Sequence, residues 1–322
     1  MGLARDLGRT EDEAAALTSL SFFRHSKDDD EGATTNTLDA AEAARARGAG
    51  SVASVATIAH SGFCLVLVER ELPKARALLD EATEIARARR LAVTDVELGI
   101  GTLLQFEGEA GPARSALERA VVLARARGDS WREAMALTRL AMLSVEHGEW
   151  SEARVRAEEL RRVAAKFGDG TEGVAAEALD ALALLGMAEE TGRARVEAAA
   201  DALTGADAKA MLAFALTIAA EIALRAGAPA DAKRWGERAL AAARPMGRAS
   251  AIILARAVLG RAELEAGASD AAAAHHRAAA ELMVDPYSIA KRAREALRVM
   301  ASSSNADTNE DPLGGKLRRR RR

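Results

Sequence analysis

The chain has 322 residues, 49% hydrophobic and 29% charged, with a net charge of −3; that is enough apolar material for an extended core and excludes disorder over most of its length. About a quarter of the residues are Ala, aromatics are 3% and Pro numbers 6, so helix formers abound and strand formers are scarce, which excludes an all-β fold and argues against a parallel α/β sheet. A single Cys excludes an internal disulfide, and the absence of an apolar leader or a long apolar run predicts a cytoplasmic protein with no membrane span.

Taken from the N-terminus, residues 3–8 read as the tail of a helix, forty residues before Gly48, so the sequence is expected to begin inside a repeat. AARARG at residues 43–48, IARARR at 85–90 and LARARG at 123–128 then mark helix ends in a regular rhythm. Fifteen residues before each stands an Ala, and the series Ala33, Ala75, Ala113, Ala153, Ala194, Ala232, Ala272 recurs every 38 to 42 residues. Four of these have a Gly five residues earlier: Gly108, Gly148, Gly227 and Gly267. Each unit reads as two helices. Residues 131–147 carry Met135, Leu137, Leu140, Ala141 and Leu143 at helical spacing, Gly148 breaks the pattern, and residues 151–167 resume it with Ala153, Ala157, Leu160, Val163 and Ala164. Residues 94–127 and 209–244 read the same way.

The small residues have a physical purpose. Two antiparallel helices joined by a short turn approach closely where a side chain is only a methyl, so the alanines are expected where the second helix crosses the first, facing Gly101, Ala141, Ala220 and Gly260. Residues 287–300 read as a capping helix with Lys291, Arg292, Arg294 and Arg298 on its wet face. The repeat domain is thus expected over 1–301, followed by a disordered tail at 302–322. The fold class implied is all-α: a right-handed α-α superhelix, or solenoid, of about six to seven antiparallel helix pairs with a period near 40 residues.

The unit at residues 136–169, with Leu140-Ala141, Gly148, Trp150 and Ala153 at their relative spacing, resembles the tetratricopeptide repeat family. Gly227, Ala232, Ala239 and Leu240 repeat much of it, as do Leu259, Gly260, Gly267 and Ala272. The period is longer than the family's, the motif tyrosines are missing, and most units lack the closing proline. The chain therefore looks like the long-helix variety in the sensor regions of bacterial signalling kinases and ATPase-type regulators. The resemblance implies a non-enzymatic scaffold whose first helices line a groove for a protein or peptide partner. It maps the groove onto His60, Cys64, Asp95, Gln105, Thr138, Met142, Thr217, Glu221 and Arg261. That mixed, mostly uncharged set suits an extended or helical peptide with apolar anchors.

Catalytic and metal signatures are weak, so no cofactor and no metal are expected. His60 and Cys64 lie four apart on one helix face, but zinc needs further ligands and no second Cys exists. A thiolate with a helical His neighbour is conceivable chemistry, and would need an acid or amide partner. His147 suits a helix C-terminus. Asp28 to Glu31 lacks the spacing of a calcium loop, and Gly314-Gly315-Lys316 lacks the rest of a phosphate loop. The run Arg318, Arg319, Arg320, Arg321, Arg322 offers phosphate contacts. It carries the alternative reading of a nucleic-acid-associated protein, against which the acidic body speaks.

Overall fold

The structure is a computed structural model that describes residues 16–18, 20, 30–48, 50–166, 168 and 170–306. The expected helix tail at 3–8, His25, Asp28, Asp29 and the terminal Arg run lie outside the described residues.

From residue 30 the chain forms α1 (Asp30–Ala46), α2 (Val52–Val68), α3 (Leu72–Arg89), α4 (Thr94–Glu107), α5 (Ala110–Arg127), α6 (Ser130–Glu146) and α7 (Trp150–Ala164). Then follow α8 (Thr171–Gly186), α9 (Gly192–Gly205), α10 (Lys209–Arg225), α11 (Pro229–Ala243), α12 (Ala249–Glu265), α13 (Ser269–Ala280) and α14 (Lys291–Ala306). No strand occurs among the described residues. Helices α2 to α13 form six consecutive pairs, each packed on the next, with α1 before them and α14 against α12.

Each turn is set by backbone chirality. Residues with positive φ fall at Gly48, Glu69, Glu71, Arg90, Gly108, Gly128, Gly148, Gly168, Ala188, Asp207, Gly227, Gly247 and Gly267, about one per helix. The next N–H then reaches back to the helix: Glu109 to Leu104 at 2.8 Å, Glu149 to Ser144 at 2.9 Å and Ala228 to Ala223 at 2.9 Å. These bonds satisfy carbonyls that the helix end leaves open. Where Gly is absent, as at Ala188 with φ 58, the left-handed residue costs about 1 kcal/mol, which the flanking packing offsets.

Close approach inside each pair follows from the small residues. Ala75, Ala113, Ala153 and Ala232 are fully buried. A Cβ at Gly62 would lie 2.7 Å from Cγ of Leu79 and 3.0 Å from the Ala75 carbonyl, and one at Gly101 would lie 2.7 Å from Cγ of Leu117. Ala272 is also buried, whereas Ala194 is exposed. In that pair the close approach lies at the turn, where a Cβ at Gly192 would come within 2.6 Å of the Leu185 nitrogen. The backbones there meet too tightly for even a methyl.

The second helices are laced together by arginines. Arg45 Nε donates to Glu81 at 3.0 Å, Arg125 to Glu159 at 3.3 Å, Arg156 to Glu118 at 3.2 Å and Arg238 to Asp201 at 2.9 Å, each about one repeat away in sequence. The guanidinium's fork suits such bridges between parallel ridges.

The C-terminal cap differs from expectation at both ends. Asp285 accepts from the Tyr287 N–H at 3.0 Å and the Ser288 hydroxyl at 2.6 Å, folding Pro286–Ser288 into a 3-10 turn. The helix therefore starts at Lys291 and continues through Ala306, into the stretch read as tail.

Candidate functional site

The first helices of the pairs, α2, α4, α6, α8, α10 and α12, form the inner layer, and the stack winds back on itself. Glu69, at the end of α2, accepts from the backbone N–H of Ser250 in α12 at 3.0 Å, across 181 residues of sequence. The Ser250 hydroxyl in turn accepts from the Ala290 N–H at 2.9 Å. Arg292 of α14 reaches across to α10, donating to both Glu221 carboxylate oxygens at 2.5 and 2.6 Å, with Glu146 of α6 at 3.9 Å. Glu146 accepts from Gln105 Nε2 of α4 at 2.9 Å. Burial pushes the Glu69 carboxyl up from its ordinary range, opposed by its hydrogen bonds from Ser250 and by the charges of Arg248 and Arg70.

Inner-layer positions repeat at helical spacing. Met135, Arg139, Met142 and Glu146 share one stripe of α6, and Phe214, Thr217 and Glu221 share one stripe of α10. Met135, Met142 and Phe214 are half-buried against the main core. Arg139 Nη1 lies 4.0 Å from the Met142 sulfur. Burial pushes its guanidinium down to about 10; Glu146 opposes that shift and the charge of Arg248 reinforces it.

The expected groove residues divide into four groups. Gln105, Met142 and Glu221 lie on this inner region. Thr138 and the buried Thr217 turn their hydroxyls back to the carbonyls four residues earlier, at 2.9 and 2.7 Å. Arg261 is exposed and pairs with Glu265 at 3.3 Å on its own helix.

His60, Cys64 and Asp95 come together. The Cys64 sulfur lies 3.4 Å from His60 Nε2. His60 Nδ1 lies 3.4 Å from Asp95 Oδ1, and Arg132 Nε donates to Asp95 Oδ2 at 2.7 Å. Arg132 also bonds Asp129, the N-cap of α6, at 2.7 Å. His60 and Asp95 are 7% and 3% exposed, while Cys64 is half-buried. The imidazole sits between the rings of Phe63 and Trp131, each 5.8 Å away between centroids. Burial alone would lower the His60 pKa, but its electrostatic interactions and hydrogen bonds with Cys64 and Asp95 push it up to about 10. Burial likewise opposes ionisation of Asp95, yet His60 and Arg132 together hold its carboxyl below the usual range. The result is an alternating row: sulfur, imidazole, carboxylate, guanidinium.

Reading the sequence alone missed Arg132, Arg139 and Glu69, and it placed Arg292 on the wet face of the capping helix, whereas Arg292 reaches across to Glu221. The spacing from His60 to Asp95 to Arg132, slightly less than one repeat each time, was the available signal. Among the described residues no group of three or more His, Cys, Asp or Glu side chains is placed to hold a metal ion. No described helix is long and apolar enough to cross a membrane. His147 closes α6, its Nδ1 lying 2.9 Å from the Leu143 carbonyl.

This architecture defines an all-α helical-repeat protein of the tetratricopeptide-like type. Among solved structures the chain is similar to a tetratricopeptide repeat protein from Parabacteroides merdae, with a TM-score of 0.52, 13% identity, and coverage of 90% of this chain and 99% of that one. At that identity the likeness concerns the fold. No protein-family profile matches the sequence, and no curated protein matches it.

Proposed function

We propose that the chain is a non-catalytic protein-interaction scaffold whose inner layer takes an extended or helical segment of a protein partner. The observation that carries this reading is the composition of that layer: flexible Met135 and Met142 and the ring of Phe214, half-buried beside Gln105, Glu146 and Glu221. Methionines adapt to varied apolar anchors, and the carboxylates already hold one guanidinium, that of Arg292. A partner segment with alternating apolar and Arg residues matches both features. The resemblance to sensor regions of bacterial kinases and regulators extends the proposal to a regulatory, cytoplasmic setting in a signalling protein.

The test is capture of partners on the immobilised full chain, compared with Met142→Arg on the inner layer and Val155→Arg on the outer surface, where Val155 is 52% exposed. A protein retained by Val155→Arg and lost by Met142→Arg, with both variants folded by circular dichroism, is the expected result. Equal retention by both variants, or loss on Val155→Arg alone, overturns the inner-layer reading.

A further inference from the structure

We propose that Cys64 is an oxidisable modification site, a thiolate that reacts with small hydroperoxides, with His60 as its proton partner and Asp95 and Arg132 as positioning residues. The argument is independent of the scaffold reading and rests on geometry. A cysteine that only fills space needs no polar neighbour. This one has an imidazole nitrogen 3.4 Å from its sulfur, on the same helix one turn earlier. The other ring nitrogen faces the buried Asp95 carboxylate of α4 at 3.4 Å, and Arg132 of α6 neutralises the far oxygen at 2.7 Å. Three successive inner helices thus supply the row: Cys64 and His60 from α2, Asp95 from α4 and Arg132 from α6.

Moving the thiol proton to the imidazole places a cation between two anions, and the remaining anion already has its own cation. Those four, with Asp129 2.7 Å from Arg132 at the N-cap of α6, are the charged groups that these three helices turn toward one another here; Phe63 and Trp131 flank the ring and contribute no charge. Cys64 lies past the middle of α2, so a helix N-terminus gives no help, and His60 is the cation that stabilises the thiolate. His60 and Asp95 are buried while Cys64 is half-buried, so the cysteine is the more exposed end of the row.

The chemistry balances. The thiolate attacks the terminal oxygen of a hydroperoxide; the S–O bond forms as the O–O bond breaks. The departing alkoxide, or hydroxide from hydrogen peroxide, takes the proton from His60 Nε2 and leaves as alcohol or water. Sulfur is oxidised by two electrons to sulfenic acid, and the peroxide is reduced by two. With only one Cys in the chain, no internal disulfide can follow.

The single Cys also makes the test direct. The full chain is treated with hydrogen peroxide and dimedone, and the rate of sulfenic-acid adduct formation is read by intact mass across pH. The expected rate is nearly flat from about pH 6 to 8.5, whereas an ordinary thiol, with a pKa near 8.5, loses about tenfold per pH unit below that value. His60→Gln is expected to restore that tenfold slope, and Asp95→Asn to give an intermediate profile. Because His60 is buried, a second measurement stands apart from its variant: the thiolate absorbance of the native chain minus that of Cys64→Ser, expected to persist at about pH 6. A native chain with an ordinary-thiol profile, no thiolate absorbance at that pH, or a folded His60→Gln indistinguishable from the native chain overturns the proposal.

Discussion

Between α2, α4 and α6 the stack buries His60 and Asp95 and draws Arg132 in after them, whereas the junction of α10, α11 and α12 is filled by Leu216, Ala219, Ala220, Trp235, Ala239 and Leu259. Both regions join consecutive pairs. The second gains from removing apolar surface from water. In the first, mutual attraction must offset the desolvation of ionised groups, and such a row contributes little net stability while becoming costly when one member is lost. A repeat architecture leaves the backbone plan constant and lets individual interfaces take on other chemistry.

The strongest way to break the comparison is at its apolar side. Trp235 is 1% exposed and donates its Nε1–H to Glu197 at 2.7 Å; Trp235→Ala is expected to cost about 3–5 kcal/mol. Hydrogen exchange should show the loss concentrated in α10 to α12, since each pair contacts only its neighbours and the seam. Asp95→Ala comes next, expected to cost about 3 kcal/mol because it leaves His60 and Arg132 facing one another without the anion between them. Chemical denaturation that showed Asp95→Ala as harmless would mean that the row is not charged.

The polar interface should also be sensitive to pH where the apolar one is not. The His60 pKa is raised to about 10 in the folded chain. Its contribution is therefore fully present below the unfolded value near 6.5 and lost as pH rises toward the folded value. Asp95, whose pKa is lowered, contributes above its unfolded value near 3.9 and loses that contribution as pH falls through the folded one. Denaturation midpoints across the alkaline range should decline in the native chain and flatten in Asp95→Asn.

Much of this architecture was legible in particular residues. Gly108, Gly148, Gly227 and Gly267 announced their turns because a positive φ favours Gly. The turns at Glu69, Ala188 and Asp207 have the same conformation but no such residue; tertiary packing imposes it, so the sequence is silent there. The close approach at Gly192 was hidden because a nearby Ala194 fitted the rhythm while its side chain is exposed. His60 and Cys64 were readable as neighbours one helical turn apart. Their acid was read only as a separate groove residue, since its proximity depends on how α4 stacks on α2. The Glu69–Ser250 contact was out of reach, because it depends on small rotations summed over five pairs.

Two smaller effects sharpen the picture. Ala188→Gly relieves the left-handed backbone and is expected to stabilise by about 0.5–1 kcal/mol in thermal denaturation. Arg261→Ala removes only an exposed pair on one helix, so its effect is expected to stay under about 0.5 kcal/mol.

The bond from Glu69 to Ser250 has a consequence for how such a chain can evolve. An open stack of repeats can gain or lose a pair and simply become longer or shorter. Here the first and sixth pairs meet, and α14 fastens to α10 from the far side. Deleting one internal pair would shift every later helix along the spiral, separating the Glu69 acid from the Ser250 amide. The seam acts as a gauge that selects one number of repeats, so variation is channelled into what each pair carries rather than how many there are.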